Sequence, residues 1–286
     1  MKAFFVSILL LAAFCRAQAQ VNLALSLDQD EFLPNEPVRL TIKISNTSGQ
    51  RLHLGADPNW LTFVVESADG FVVDKKGDPP FTEEFDLESS QMATLHVDLQ
   101  PYFQMTRLGR YKVTGTMRIK AWGLAAPSRP LQFDVIHGGE VWEQDFGVTV
   151  TPNTPPEPRK YSLIKANYLR EQLRLYVQVS DQSGAIIYKV AALGPMVSFS
   201  TPEESVDRFS RLHVLWQTGG QSFSYVVVEP DGTVLSRDVY DNYNSRPHLA
   251  INSSGDIEVH GGVRRLKPGE MPATNSVQTT SVPHTK

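Results

Sequence analysis

From Val21 to about Val150 the chain alternates between apolar and polar positions. Val21, Leu23, Leu25 and Leu27 occupy every second place, as do Val38, Leu40, Ile42 and Ile44. The same period runs through Leu61, Phe63 and Val65, through Leu95, Val97 and Leu99, and through Tyr111, Val113, Met117 and Ile119. Leu131, Phe133 and Val135 close the series. A period of two puts one face of a strand in a core and the other in water. Turn formers separate the runs: Leu33-Pro34-Asn35, Asn46 to Gly49, Asp69-Gly70 and Gly77-Asp78-Pro79-Pro80. No stretch carries a helical period. The pattern predicts an all-β chain whose residues 20–150 form an antiparallel sandwich of about seven short strands.

Thr151-Pro152-Asn153-Thr154-Pro155-Pro156-Glu157-Pro158 follows, with four prolines in eight residues. Prolines do not fit a sheet interior and favour a stiff, extended connector. The reading therefore places a linker at 151–159 and a second, smaller domain at 160–266. That domain carries a repeat. LRLYVQVSDQSGAIIYKV at 173–190 aligns with SRLHVLWQTGGQSFSYVV at 210–227 at an offset of 37 residues. Leu175 meets Leu212, Val177 meets Val214, Tyr188 meets Tyr225 and Val190 meets Val227. GDIEVHGG at 255–262 is a shorter echo, and Pro230-Asp231-Gly232 is a hairpin signal. Hairpins at this spacing resemble β-propeller blades, but the segment is too short for the ~4 blades a propeller needs. An antiparallel β-meander with blade-like hairpins is the expectation.

FLPNEPVRLTIKISNTSG and LGRYKVTGTM resemble the opening and a late strand of the immunoglobulin-like modules of secreted bacterial proteins. In those modules a proline-containing turn precedes a strand ending in Asn, and a Gly-x-Tyr pair enters a late strand. A proteinase-inhibitor module of similar build is resembled more faintly. The resemblance covers residues 20–136 and implies an immunoglobulin-like sandwich. It lacks the cysteines and the Cys…Trp…Cys spacing of antibody-type domains, and it transfers no functional residue.

The N-terminus changes the picture of where the chain acts. Lys2, the apolar run from Ala3 to Phe14 and Ala17-Gln18-Ala19 have the layout of a signal peptide, residues 1–19, cleaved after Ala19. The run is too short to span a bilayer, and no later run is long enough. The expected location is periplasmic or extracellular. Cys15 is the only cysteine. Phe14 before it does not suit lipidation, and the processed chain then has neither disulfide nor thiol chemistry. Without Lys2 and Arg16, 25 basic residues face 31 acidic ones, a net charge near −6 that does not suit a nucleic-acid partner. Asn46-Thr47-Ser48 and Asn252-Ser253-Ser254 fit the glycosylation triplet of a eukaryotic secretory route. Residues 267–286 read as a disordered tail.

The search for chemistry returns little. His53, His96, His137, His213, His248, His260 and His284 form no H-x-x-x-H or H-E-x-x-H spacing, so no metal and no cofactor is expected. His213 faces away from Leu212 and Val214 and reads as a surface or cross-strand residue. His137 and His260 each end a strand at a glycine pair. No G-x-S-x-G elbow, phosphate loop or dinucleotide fingerprint occurs. Glu203, Glu204 and Asp207, and Glu83, Glu84, Asp86 and Glu88, are carboxylate groups of the type glycoside hydrolysis uses. They lack apolar cover, and ordinary ionised side chains are expected. Asp231-Gly232-Thr233 is similar to the turn of sialidase blades, whose arginine trio would have to be Arg211, Arg237 and Arg246. Asp28-Gln29-Asp30-Glu31 bunches enough acid for calcium.

Aromatic residues in loops suit recognition better. Trp60 follows a turn, Trp142 and Phe146 precede the proline stretch, and Tyr240, Tyr243 and Arg246 share DVYDNYNSRPHL. Trp60, Tyr240, Tyr243 and Arg246 are the candidate binding residues, and no catalytic residue is assigned. The leading expectation is a secreted, non-enzymatic binding or scaffold protein with a protein or glycan partner. A carbohydrate-binding or carbohydrate-active accessory protein and a protease inhibitor are the alternatives.

Overall fold

The structure, a computed structural model, describes residues 21–149, 155–169 and 172–270. The expected leader, Thr151 to Thr154 of the proline stretch and residues 271–286 of the expected tail lie outside the described residues. Within them the chain is all strand and loop apart from one turn of 3-10 helix, Lys120–Trp122. No described helix is long and apolar enough to cross a membrane.

Ten short strands build the first region. They are β1 (Val21–Leu27), β2 (Glu31–Phe32), β3 (Arg39–Asn46), β4 (Leu52–Leu54) and β5 (Leu61–Ser67), then β6 (Phe85–Leu87), β7 (Met92–Asp98), β8 (Gly109–Ile119), β9 (Leu124–Pro127) and β10 (Leu131–Val135). One sheet has the order β1-β3-β7. A second has the order β2-β10-β8-β5, with β9 paired to β8, and β4 and β6 make a separate pair. The two larger sheets share one core: Leu23, Leu40, Ile42 and Ile44 from the first meet Phe63, Val65, Val113, Met117 and Phe133 from the second. β3 shows the cause. Leu40, Ile42 and Ile44 are buried while Arg39 and Lys43 lie outside. Burying such a side chain is worth about 1.5–3 kcal/mol, so a one-residue slip of register would forfeit the core contribution of the whole strand.

Two details position the sandwich. Between β1 and β2 the chain changes sheet, and β2 lies parallel to β10, a departure from the all-antiparallel expectation. The next turn runs Leu33-Pro34-Asn35-Glu36. Glu36 N–H donates to Leu33 O at 3.1 Å and Asn35 has φ 64°. Pro second and a left-handed Asn third is the chemistry of a type II turn. At the other end, the Tyr111 hydroxyl donates to Arg107 O at 2.7 Å, a tyrosine corner at the entry to β8.

The second region stacks two meanders. β11 (Gly139–Val148), β12 (Glu157–Leu169), β13 (Gln172–Asp181) and β14 (Ile187–Pro195) pair in sequence order. So do β15 (Glu203–Val206), β16 (Leu212–Gln217), β17 (Ser222–Val228) and β18 (Val234–Asp241). A hairpin of β19 (His248–Ile251) and β20 (Ile257–His260) follows, and β21 (Val263–Arg264) adds to β18. Tyr161, Leu163, Leu175 and Val177 of one meander pack against Leu212, Val214, Trp216 and Val226 of the other. The outer face of the second meander, Leu215, Phe223, Tyr225 and Val227, is covered by Leu249 and Val259 of the hairpin. The outer face of the first packs Ala166, Tyr176 and Val190 against Leu33 and Ile136. Strands covered on both sides carry continuous apolar runs, which is why LHVLW shows no alternation.

Three expectations change. β11 pairs with β12, Gly139 opposite Lys165 through Val148 opposite Glu157, so the proline stretch joins two strands of one sheet and is not a connector between regions. A bulge between Glu140 and Trp142 breaks the period of two there and lets Val141 and Trp142 both reach the second core. The change of sheet falls earlier, at Ile136 to Gly138. Gly138 passes so close to β12 that a Cβ on it would sit 2.2 Å from Ile164 Cγ2 and 3.0 Å from Leu33 Cδ2. The repeat at offset 37 matches sequence but not position. β13–β14 is the last hairpin of its sheet, whereas β16–β17 lies inside the other. Finally, Lys267 to Glu270, expected in the tail, form a turn. Glu270 N–H donates to Lys267 O at 2.9 Å, and the Glu270 carboxylate, held down to about 2 chiefly by its hydrogen bond with Arg264, pairs with that guanidinium.

Candidate binding cleft

Trp60 belongs to the core rather than to an open loop. It is 2% exposed, and its indole N–H donates to Phe81 O at 3.0 Å. Its ring meets Phe81 and Phe85 edge-on at 6.2 and 6.0 Å between centroids. The three rings nevertheless form one wall of a cleft of about 480 Å³. The facing wall is Leu95, His96, Val97 and Asp98, four consecutive residues of β7. Consecutive residues point to opposite faces of a strand, so a cleft touching all four runs along the strand's edge. Tyr102, Pro79, Pro80 and Pro101 form the rim.

The sequence explains the opening. β7 ends the sheet β1-β3-β7, and among the described strands none pairs with its outer edge. Leu99 N–H bonds Val38 O and Asn46 N–H bonds Gln91 O, so odd-numbered residues of β7 face β3 and the backbone groups of Thr94 and His96 face outward. Pro79 and Pro80 lack one and the same thing, an N–H, and cannot extend the ladder across the gap. Asp98 holds the lower end, its Oδ1 accepting from Val38 N–H at 2.9 Å and Gln100 N–H at 3.0 Å.

A second cleft, of about 280 Å³, lies where the two regions meet. Glu36 stands at its inner end, 5% exposed. Its carboxylate accepts from Gln29 Nε2 and from Leu33 N–H, both at 2.8 Å. Burial pushes this carboxyl up to about 7 against the lowering effect of those hydrogen bonds and of Arg174. Arg174 donates to Gln29 Oε1 at 2.6 Å and lies 3.7 Å from the Tyr168 ring centroid. This polar junction ties β13 to the turn after β2. Nothing in the sequence pattern marked it, because Gln29 and Arg174 stand 145 positions apart.

The remaining candidates scatter. Tyr240 is half-buried and meets Tyr225 edge-on at 6.3 Å, and the Arg246 guanidinium lies 5.5 Å from the Phe223 ring centroid. Both therefore belong to the outer face of the second meander, while Tyr243 is 68% exposed in the turn beyond. Arg211, Arg237 and Arg246 are not gathered. Arg211 pairs with Glu229, and Arg237 donates to Leu193 O on the opposite face from Phe223. His213 is a cross-strand residue, but buried. Its Nδ1 lies 2.7 Å from the Tyr225 hydroxyl and its Nε2 3.3 Å from Asp207 Oδ2. Burial raises Tyr225 to about 12, so it stays a hydroxyl.

The carboxylate groups are structural in their contacts. Asp207 caps its turn through Phe209 and Arg211 N–H groups, both at 2.8 Å, and Glu203 accepts from Leu249 N–H at 2.8 Å. Glu204 departs from the ordinary behaviour expected of it: burial first, then the neighbouring Glu203, raise its carboxyl. Asp86, held down to about 2 by hydrogen bonds from Arg51 and His53, stays ionised. Among the described residues no three His, Cys, Asp or Glu side chains are gathered to hold a metal ion, those of Asp28, Asp30 and Glu31 included. Asn46 is fully buried and its side-chain amide donates to Gln50 O and Leu87 O at 2.8 Å, so it is no glycan acceptor in the fold. His260 meets His248 across the β19–β20 pair. The signal for that was present: HLAI and IEVH flank Asn252-Ser253-Ser254-Gly255, a hairpin turn.

The fold and clefts together define an all-β protein of stacked sheets with an edge cleft and a polar junction. No family model matches the chain, and no curated protein matches it. A solved structure that aligns with it is Spo0M, the sporulation control protein of Bacillus subtilis. The alignment has 9% identity over 61% of this chain and 89% of that one, with a TM-score of 0.31.

Proposed function

We propose that the chain is an exported, non-catalytic binding protein that takes an extended segment of a partner protein along β7. The observation that carries this reading is the cleft itself: an unpaired strand edge beside an aromatic wall. Sheet edges are normally blunted by Lys, Pro or a bulge. MATLHVD has neither residue, and β7 pairs with β3 without a bulge from Met92 to Asp98. Backbone groups of Thr94 and His96 would supply ladder bonds, and the cleft between Phe85, Tyr102 and Val97 would take an apolar side chain. Export rests on the leader pattern around Lys2 and Ala17-Gln18-Ala19. The Tyr111 corner supports an immunoglobulin-like reading of the first sandwich.

The test is binding of a displayed peptide library to the purified protein, repeated with Thr94→Pro and Tyr102→Ala. Thr94→Pro removes an outward N–H at an edge, where proline is tolerated. Loss of selected peptides with both variants, each with an unchanged circular dichroism spectrum, is the expected result. A glycan ligand would be indifferent to Thr94→Pro and sensitive only to Tyr102→Ala. A library that yields no β7-dependent binder would overturn the proposal.

A further inference from the structure

The β19–β20 hairpin places His248 directly opposite His260. The ring centroids are 6.1 Å apart and the planes are inclined by 60°. Residues opposed across an antiparallel pair share a face, and so do residues two apart on one strand. Glu258 therefore lies on the same face, its carboxylate 4.0 Å from His260 Nε2. All three side chains are exposed. His248 Nδ1 lies 3.4 Å from Arg246 O. A backbone carbonyl at that nitrogen favours the proton there and leaves the Nε2 lone pair free, which is how proteins orient a ligating imidazole.

We propose that His248 and His260 form a two-nitrogen chelate for a borderline divalent metal, Zn²⁺ or Cu²⁺. Water completes the coordination, and the Glu258 carboxylate adds negative charge beside the metal. Imidazole is the ligand these ions prefer among side chains other than thiolate. Metal–nitrogen bonds of about 2.0–2.1 Å require the rings to close by roughly an ångström, a side-chain rotation with no change of backbone. Three of the other described imidazoles are engaged: His213 with Asp207 and Tyr225, His53 with Asp86 and Glu84, His96 with Thr41 at 3.2 Å. The hairpin is a two-stranded sheet of its own, held over the second meander by Leu249 and Val259. Two-stranded hairpins are marginal alone, so a metal bridging both strands would fasten this cover to itself.

The experiment is calorimetric titration of the untagged protein with Zn²⁺, and the Cu²⁺ electron paramagnetic resonance spectrum. One site with nitrogen hyperfine structure is expected. His248→Ala and His260→Ala should each weaken it by at least about tenfold, a scale that even outer-shell changes reach. His53→Ala should leave it unchanged. Hydrogen exchange of the hairpin should slow on adding Zn²⁺ to the parent and not to the His248→Ala/His260→Ala double variant. The replaced side chains are exposed, so an unchanged circular dichroism spectrum is the control for folding. Equal binding by parent and double variant, or loss only with His53→Ala, would overturn the proposal.

Discussion

In the first sandwich, neighbours in the chain are seldom neighbours in a sheet. In the second region they nearly always are. β3 sits between β1 and β7, and β8 between β5 and β10, whereas β11 to β14 and β15 to β18 pair in simple succession. The first arrangement closes longer loops before most of its strands meet their partners, as in β3–β7, β5–β8 and β2–β10. The second closes a hairpin at a time, and low contact order favours quicker assembly. The burial pattern differs as well. The first sandwich has a wet outside, so its strands alternate. The second buries both faces of its central strands, under a hairpin on one side and against the first sandwich on the other. The same two-layer plan is thus reached by two sequence strategies, and only the alternating one can be read residue by residue.

The comparison can be broken most decisively at Trp216, which is 1% exposed between the two meanders and donates its indole N–H to Pro195 O at 2.9 Å. Trp216→Ala should cost about 3–5 kcal/mol. Hydrogen exchange read by mass spectrometry should show the loss confined to 139–264, with β3 and β8 still protected. Equal loss in both regions would mean that they unfold as one unit.

A smaller effect is expected at the junction. Glu36 has a carboxyl near 7 in the fold against an ordinary 4.5. Its protonated form is the one the fold favours, so the stabilisation is fully present below about 4.5. It is lost as the pH rises through about 7, roughly 3 kcal/mol in all. Urea unfolding from pH 4 to pH 8 should show this fall, and Glu36→Gln should flatten it. A slope unchanged by the substitution would place the pH dependence elsewhere.

The smallest effect concerns the tyrosine corner. Tyr111→Phe removes the bond to Arg107 O and should cost about 0.5–1.5 kcal/mol, measured by the shift of the urea midpoint. A shift confined to the first sandwich sharpens the contrast between the regions.

Legibility follows the same division. β1, β3, β5, β7, β8 and β10 stand where alternation put them, because each has one dry and one wet face. β2, β4, β6 and β9 are too short, at two to four residues, for a period to register. β11 is hidden from the sequence because its bulge disrupts the period and its neighbouring prolines imitate a boundary. Trp60 lies in a stretch that reads as a turn, yet it belongs to the core, where Phe81 and Phe85 from a later segment meet its ring. The polar junction depends on which distant strands end side by side, which sheet order decides and local spacing does not. The imidazole pair is local, and the turn at Asn252 to Gly255 between HLAI and IEVH is its sequence signal.

One feature of the crossing between the regions reaches further than its size. At Gly138 there is no room even for a methyl group between β12 and Leu33. A single alanine there would collide with Ile164 first and Leu33 next, so a side chain at the seam between the halves has to give way. The close approach of the two halves is thus secured by what residue 138 leaves out.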